Sequence, residues 1–269
     1  GETQMNCDTQ QKTFISYLNY GGLGNRINTI ISDLMLYDTI YKGHPKCFYW
    51  PVIRDKFENI FEPIPDVIIT DKLNKIKFHH DNKVLTNQYY TRNPNGLVLL
   101  NKDQNEVKNI KSYYSRFNGT ICYTYNRTPK TIIDTYLTYF NILKPVKSVT
   151  EEVDKYWSSV GLNDNIIGVH IRQGDFNKHE ERKVQIDKFI IKMKQLHKHN
   201  TSAIFYLSTD EPKVFKHIEQ LFPKGHVITY DHKQDDRKHS DFKTALVCLL
   251  ILSKPKHLIL TNYSTYSQL

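Results

Sequence analysis

Glycine and proline are scarce, 11 and 10 among 269 residues, which excludes a collagen-like or low-complexity chain. Long apolar runs are missing. The longest, Ala245 to Ser253, is far short of the ~20 residues of a membrane span. Cysteine is sparse and scattered, at Cys7, Cys47, Cys122 and Cys248, so no Cys-x-x-Cys metal or redox motif exists. The even count leaves two disulfides open without requiring them, since a chain this long can build a core unaided. No run of five Lys or Arg is present, which argues against a nucleic-acid-binding tail. P-loop, Gly-x-Ser-x-Gly, His/Cys metal spacing and the Asp-x-Asp pair that holds a metal on a nucleotide diphosphate are all absent. With 39% hydrophobic and 24% charged residues, gross disorder is excluded too.

What is present is a cationic globular chain. Lys plus Arg is 37 and Asp plus Glu is 28, a net charge of +9 with His neutral. One reading is attraction to phosphates. The other is compositional bias, since Lys, Asn, Ile and Tyr are all abundant. Asn-x-Ser/Thr sequons at Asn118, Asn126, Asn200 and Asn262 fit the secretory pathway or Golgi lumen, if a targeting segment was removed. Otherwise the expectation is cytoplasmic.

Periodicity gives the architecture. A β-rich run, Phe14 to Tyr20, leads into Gly21-Gly22-Leu23-Gly24-Asn25-Arg26. Apolar residues at Ile27, Ile30, Ile31 and Leu34 then take helical spacing. Cys47 to Val52 and Val67 to Thr70 read as strands, residues 71–115 are irregular, and Thr131 to Leu143 is helical in pattern. The second half alternates helix and strand. Helices are expected at Thr150–Val160, Val184–His197, Pro212–Leu221 and Asp241–Leu252. Strands are expected at Asn165–Ile171, Ser202–Ser208, Val227–Tyr230 and His257–Thr261. That alternation predicts an α/β fold with mostly parallel sheets, organised as two Rossmann-like domains facing a cleft. The boundary is placed at residues 1–150 and 151–269.

Four strand-end segments carry candidate chemistry, because α/β sheets bind ligands at the carboxyl ends of their strands. The first is the glycine turn with Gly22, Gly24, Asn25 and Arg26, where a backbone can approach a ligand and a helix N-terminus favours an anion. A glycine-rich turn is also often merely a turn. The second is Gly168 to Asp175, with His170, Arg172 and Asp175; Arg172 offers a bidentate fork suited to phosphate, or forms an ion pair with Asp175. The third is Leu207 to Glu211, with Thr209 and Asp210, and the fourth is the hydroxyl cluster Ser264, Thr265 and Ser267. Both of these also read as helix N-caps. With no carboxylate pair for a metal, the cation facing a leaving pyrophosphate would be Arg172.

The ordered set GGLGNR, VHIRQGD, YLSTDE and LLILSKPKHLILTNYSTYSQ resembles the fucosyltransferase superfamily of α1,2-, α1,6- and protein O-fucosyltransferases. The resemblance implies a GT-B arrangement, with an acceptor-side N-terminal domain and a donor-binding C-terminal domain. It implies an inverting, metal-independent enzyme with no cofactor, which moves fucose from GDP-fucose to a glycan or glycoprotein hydroxyl. By resemblance Arg172 contacts the donor pyrophosphate, His170 lies near the donor, and Ser264, Thr265 and Ser267 line it. Asn25 comes from the glycine loop, and Glu180, read as a loop residue, is the candidate base.

Two departures accompany it. The family's guanine-reading Asp falls on Cys248, and a thiol cannot accept two donor hydrogens as a carboxylate does. Asp241, seven residues earlier on the same helical face, is the candidate substitute. The chain also stops at Leu269, just inside the last motif, which reads as a truncation or a missing final helix. The alternatives are a glycosyltransferase using another sugar nucleotide, and a catalytically silent sugar-nucleotide or glycan-binding protein. Acceptor contacts are expected from residues 71–130, where Tyr89, Tyr90, Tyr113, Tyr114, Tyr123 and Tyr125 could stack on sugar rings.

Overall fold

The computed structural model describes residues 13–17, 22–40, 46–50, 55–71, 83–86, 119–123, 138–172, 179–230 and 241–260. The chain divides into two compact units, Gly1–Val146 and Lys147–Leu269.

The first unit holds a five-stranded sheet of β1 (Thr13–Tyr17), β2 (Lys46–Tyr49), β3 (Val67–Thr70), β4 (Lys83–Thr86) and β5 (Gly119–Tyr123). The strand order is β3-β2-β1-β5-β4 and every pairing is parallel. β4 and β5 fall in stretches that carry no periodic signal. β1 is central, and the chain leaves it through the glycine turn into helix α1 (Leu23–Ile40). The expected stripe is the buried face of that helix: Ile27, Ile30, Ile31 and Leu34 are all at most 3% exposed. Phe61 bridges Pro145, and Val146 donates its N–H to the Ile60 carbonyl at 3.0 Å, tying the end of the unit back to its middle.

The second unit is built on β6 (Ile166–Ile171), β7 (Ile204–Thr209), β8 (Val227–Ile228) and β9 (His257–Ile259), in the order β8-β7-β6-β9, again all parallel. β6 is buried nearly end to end, which is why it reads as one apolar run rather than an alternation. Successive side chains still face opposite ways. Val169, Ile171, Phe205 and Leu207 pack with Phe189 and Met193 of helix α3 (His179–His199) and with Val214 and Ile218 of helix α4 (Pro212–Glu219). The opposite face, carrying Gly168, His170, Tyr206 and Ser208, meets helix α2 (Lys147–Val160) and helix α5 (Phe242–Leu252).

Local chemistry sets the ends of these helices. α2 buries Val149, Val153 and Trp157 at i, i+4 and i+8 and ends at Gly161, whose φ of +85° suits a residue without a Cβ. Pro212 opens α4 behind the N-cap Glu211. Asp241 caps α5 by accepting the Thr244 N–H at 2.6 Å. Trp157 donates its indole N–H to the Ile251 carbonyl at 3.2 Å, fastening α2 to α5. No helix of the described residues is long and apolar enough to cross a membrane.

Candidate active site

Strand order singles out one place in the second unit. From β6 the chain runs through β7 to β8 on one side, while β9 returns on the other. The carboxyl end of β6 is therefore a topological switch point, the position at which open α/β sheets bind ligands. His170 and Arg172 stand there.

His170 is 6% exposed and lies opposite Ser208 across the β6–β7 ladder, while Ile171 lies opposite Thr209. Burial pushes its imidazole down to about 4; the negative charge of Asp210 opposes that shift and the positive charge of Arg172 adds to it. At neutral pH His170 is thus an uncharged ring, able to donate at one nitrogen and accept at the other. Arg172 is half-buried, one residue past the strand. The site's fixed cation therefore sits beside a neutral imidazole, with the Asp210 carboxylate in electrostatic reach.

Part of the Leu207–Glu211 segment is local architecture. The Thr209 hydroxyl accepts the Glu211 N–H at 3.3 Å, and the Glu211 carboxylate accepts the Lys213 N–H at 3.4 Å as the cap of α4. Asp210 is the member of that segment that faces His170 electrostatically.

Beneath this end lies an aromatic cluster that motif reading missed. Tyr156 of α2 is the hub, with ring centroids 5.1 Å from Trp157, 5.7 Å from Tyr206 and 5.7 Å from Tyr230. Tyr230, just beyond β8, donates its hydroxyl to Glu152 at 2.8 Å. Tyr206 is 1% exposed, and burial holds its hydroxyl far above the usual phenol range. The alternation that sets His170 on one face of β6 places Tyr206 and Ser208 on the same face of β7, so a period-two reading outward from His170 would have found them.

Cys248 lies on α5 in this neighbourhood, 9% exposed and with its thiol free. Burial first, and then the nearby Asp241 carboxylate, push that thiol up to about 12. It is a protonated, weak hydrogen-bonding group. Asp241 itself is exposed, and one of its oxygens is used in capping the helix.

In the first unit, Gly22 is the exposed N-cap of α1: its carbonyl accepts the Arg26 N–H at 3.2 Å. Gly24 is buried within the first turn, and Asn25 follows it in the helix. Arg26 departs from expectation. Instead of standing exposed as a cation beside the turn, its side chain is 0% exposed, with the guanidinium 4.4 Å from the centroid of the Trp50 ring. The reason is non-local. Trp50 leaves the neighbouring strand β2, and a planar guanidinium stacks well on an indole.

Glu180 differs as well: its backbone belongs to the first turn of α3 rather than to a loop. The charged run Glu180 to Lys183 hides any apolar stripe, although acidic residues suit a helix N-terminus. Asp175, Ser264, Thr265 and Ser267 lie outside the described residues, as do Tyr89, Tyr90, Tyr113, Tyr114 and Tyr125; Tyr123 ends β5. Among the described residues, no three His, Cys, Asp or Glu side chains come together as a metal site.

No curated protein matches the chain in sequence. Solved structures match its fold. One is the fucosyltransferase NodZ from Bradyrhizobium, at 16% identity and a TM-score of 0.67 over 95% of this chain and 90% of that one. A variant of Arabidopsis thaliana FUT1 in complex with GDP follows at 13% and 0.61, over 98% and 68%. POFUT1 in complex with GDP-fucose gives 12% and 0.57, over 95% and 93%. At such identities the likeness is one of fold, a mixed α/β architecture with parallel sheets. The family defined by alpha-(1,6)-fucosyltransferase N- and catalytic domains matches residues 123–261, just over half of the chain. With β6, the switch point and α5 all inside that match, the chain belongs to the alpha-(1,6)-fucosyltransferase family of glycosyltransferases.

Proposed function

We propose that the chain transfers fucose from GDP-fucose to a hydroxyl group of a glycan or glycoprotein, with inversion at the anomeric carbon and without a metal. The observation that carries this reading is the pairing of the half-buried Arg172 with the buried, neutral His170 at the switch point of the second sheet. Family membership supports the same reaction class. The reading makes the second unit the donor side and the first unit the acceptor side.

The chemistry follows from charge. The bond between the fucose anomeric carbon and the β-phosphate oxygen breaks, and negative charge builds on the departing GDP. Arg172 offers that charge two parallel N–H groups, an electrostatic contribution of roughly 3–4 kcal/mol when such donors are removed singly from other enzymes. A neutral His170 adds a donor without a second positive charge. The acceptor oxygen forms the new bond from the opposite face, and its proton goes to a carboxylate, for which Glu180 at the start of α3 is our candidate. Absence of a metal in this scheme rests on the sequence, which has no Asp-x-Asp pair, and on Arg172 as the counter-charge.

A second reading of the donor is favoured by Cys248. A buried, protonated thiol is a poor partner for the paired donors on guanine, which favours a nucleotide with a different base. Thermal shift with GDP against UDP separates the two readings. For the reaction itself, we expect Arg172→Ala to lower fucosyl transfer or GDP-fucose hydrolysis by about 100-fold or more. Full activity in that variant would refute the mechanism. Cys47 is disulfide-bonded, which supports an oxidising, secretory setting.

A further inference from the structure

We propose that His197 and His226 form a further, non-catalytic site: a two-histidine chelate for a divalent transition-metal ion (Ni²⁺, Cu²⁺ or Zn²⁺) that ties the end of α3 to the start of β8.

The two rings come from separate elements and meet at one point. His197 lies in the last turn of α3, and His226 stands just before β8. The His197 Nε2 and the His226 Nδ1 are 3.0 Å apart, with ring centroids at 5.2 Å. Two nitrogens that bind one ion at ~2.0–2.1 Å lie about 2.9 Å apart at a right angle and about 3.4 Å apart at a tetrahedral one. The observed spacing falls between those values. Without an ion, the nitrogens share one hydrogen bond, so one donates and the other accepts. On binding, the donating ring carries its proton on its other nitrogen instead, and both lone pairs face the metal. Each ring reaches that aim by turning about χ2, a soft torsion in histidine. Both residues are half-buried, so water completes the coordination.

The core holds both rings from one side. Phe222 is 8% exposed, meets the His197 ring edge-on at 5.6 Å and lies 5.3 Å from the Phe205 ring. Phe205 in turn donates its N–H to the His226 carbonyl at 2.8 Å, and the His226 N–H donates to the Pro223 carbonyl at 3.0 Å. A ligand pair ordered in advance binds with less loss of freedom. Imidazole nitrogen selects nickel, copper and zinc over magnesium and calcium, which prefer oxygen. Lys194 works against the ion. Its ammonium lies 4.3 Å from the Phe222 ring centroid and donates to the Leu221 carbonyl. With that charge near and two protein ligands instead of four, affinity falls short of a closed structural zinc site. His226 is at the amino end of the parallel sheet whose carboxyl end carries His170, so the ion takes no part in the transfer chemistry.

The test adds NiCl2, ZnCl2 or CuCl2 to the full chain at pH 7.5, with MgCl2 as the control. The chain has 12 histidines, so the difference between wild type and variant is what counts. His197→Gln and His226→Gln are each expected to weaken Ni²⁺ binding, measured by calorimetry, about tenfold or more. Loss of a ligand costs at least as much as loss of a ligand's outer hydrogen-bond partner, which is 10–100-fold. NiCl2 raises the unfolding midpoint of wild type, MgCl2 does not, and both variants lose the rise. Amide hydrogen exchange slows at residues 197–200 and 226–228 when NiCl2 is added. The electron paramagnetic resonance spectrum of bound Cu²⁺ shows two nitrogen ligands in wild type and loses one in either variant. Three results overturn the proposal: equal Ni²⁺ affinity in wild type and both variants; no rise of the wild-type midpoint with any of the three metals; or exchange at 197–200 and 226–228 that NiCl2 leaves unchanged. If a variant does not fold, exchange in wild type decides alone.

Discussion

Gly168 lies opposite Leu258 across the β6–β9 ladder, and a Cβ on Gly168 would come within 2.5 Å of the Leu258 Cδ2. The same Cβ would meet the Leu252 Cδ1 at 3.2 Å and the Leu252 carbonyl at 3.4 Å. Leu258 is 43% exposed and can swing away; Leu252, on buried α5, has less room. Gly168→Ala is therefore expected to destabilise the second unit by about 1–2 kcal/mol, the lower part of the range for overpacking. Because β9 borders β6 two residues before His170, activity should fall as well. Urea unfolding checks the first expectation, and unchanged stability would show that β9 shifts without cost.

His170 makes stability depend on pH. Unfolded, its imidazole titrates near 6.5; folded, burial holds it at about 4. Between those values the unfolded chain binds the extra proton and the folded chain does not, so stability falls as pH drops through that window. Above 6.5 the group contributes no slope, and below 4 the loss levels off. At pH 5 the loss relative to pH 8 is about 2 kcal/mol. His170→Gln should remove that difference while leaving the contributions of the other histidines. An identical pH 5 deficit in the variant would mean that His170 is accessible to protons in the native state.

Sequence periodicity located the elements of the second unit to within a few residues because burial there follows strand and helix spacing directly. Val149, Val153 and Trp157 mark one face of α2, and a near-continuous apolar run marks β6. Where local signals are weak, the partner decides. β4 is four residues long with only Val84 and Leu85 apolar, and it is a strand because it pairs with β5, from Lys83 opposite Thr120 to Thr86 opposite Tyr123. Likewise His170 and Arg172 were legible from their place at a strand end. The burial of Arg26 was not, because the ring that receives it lies 24 residues away, just past the end of another strand.

Cys248 should be chemically silent. A thiol that is 9% exposed and titrates at about 12 carries almost no thiolate at pH 8, and the thiolate is the reactive form. Iodoacetamide at pH 8 should leave Cys248 unmodified in the native protein and label it on unfolding, read by peptide mass spectrometry. Rapid native labelling would place Cys248 in a solvent-open site. Cys248→Ala should cost about 1 kcal/mol, since only one buried heavy atom is removed.

Gly22 separates a functional turn from a merely structural one. Its backbone does not occupy the left-handed region, and no atom of the described residues lies within 4 Å of the position a Cβ would take. Alanine therefore fits without strain. It caps a helix less well than glycine, by about 0.5–1 kcal/mol, and it narrows the unfolded ensemble by a comparable amount. The two offset, so Gly22→Ala should leave the unfolding midpoint within about 2 °C of wild type. Any loss of activity would then come from the methyl group occupying space that a substrate needs. We expect kcat/KM for GDP-fucose turnover to fall by about tenfold or more, since a single misplaced contact in a reacting geometry has effects of that order. If turnover is unaffected, the open space in front of Gly22 is not used in the reaction, and the glycines serve only to carry the chain from β1 into α1.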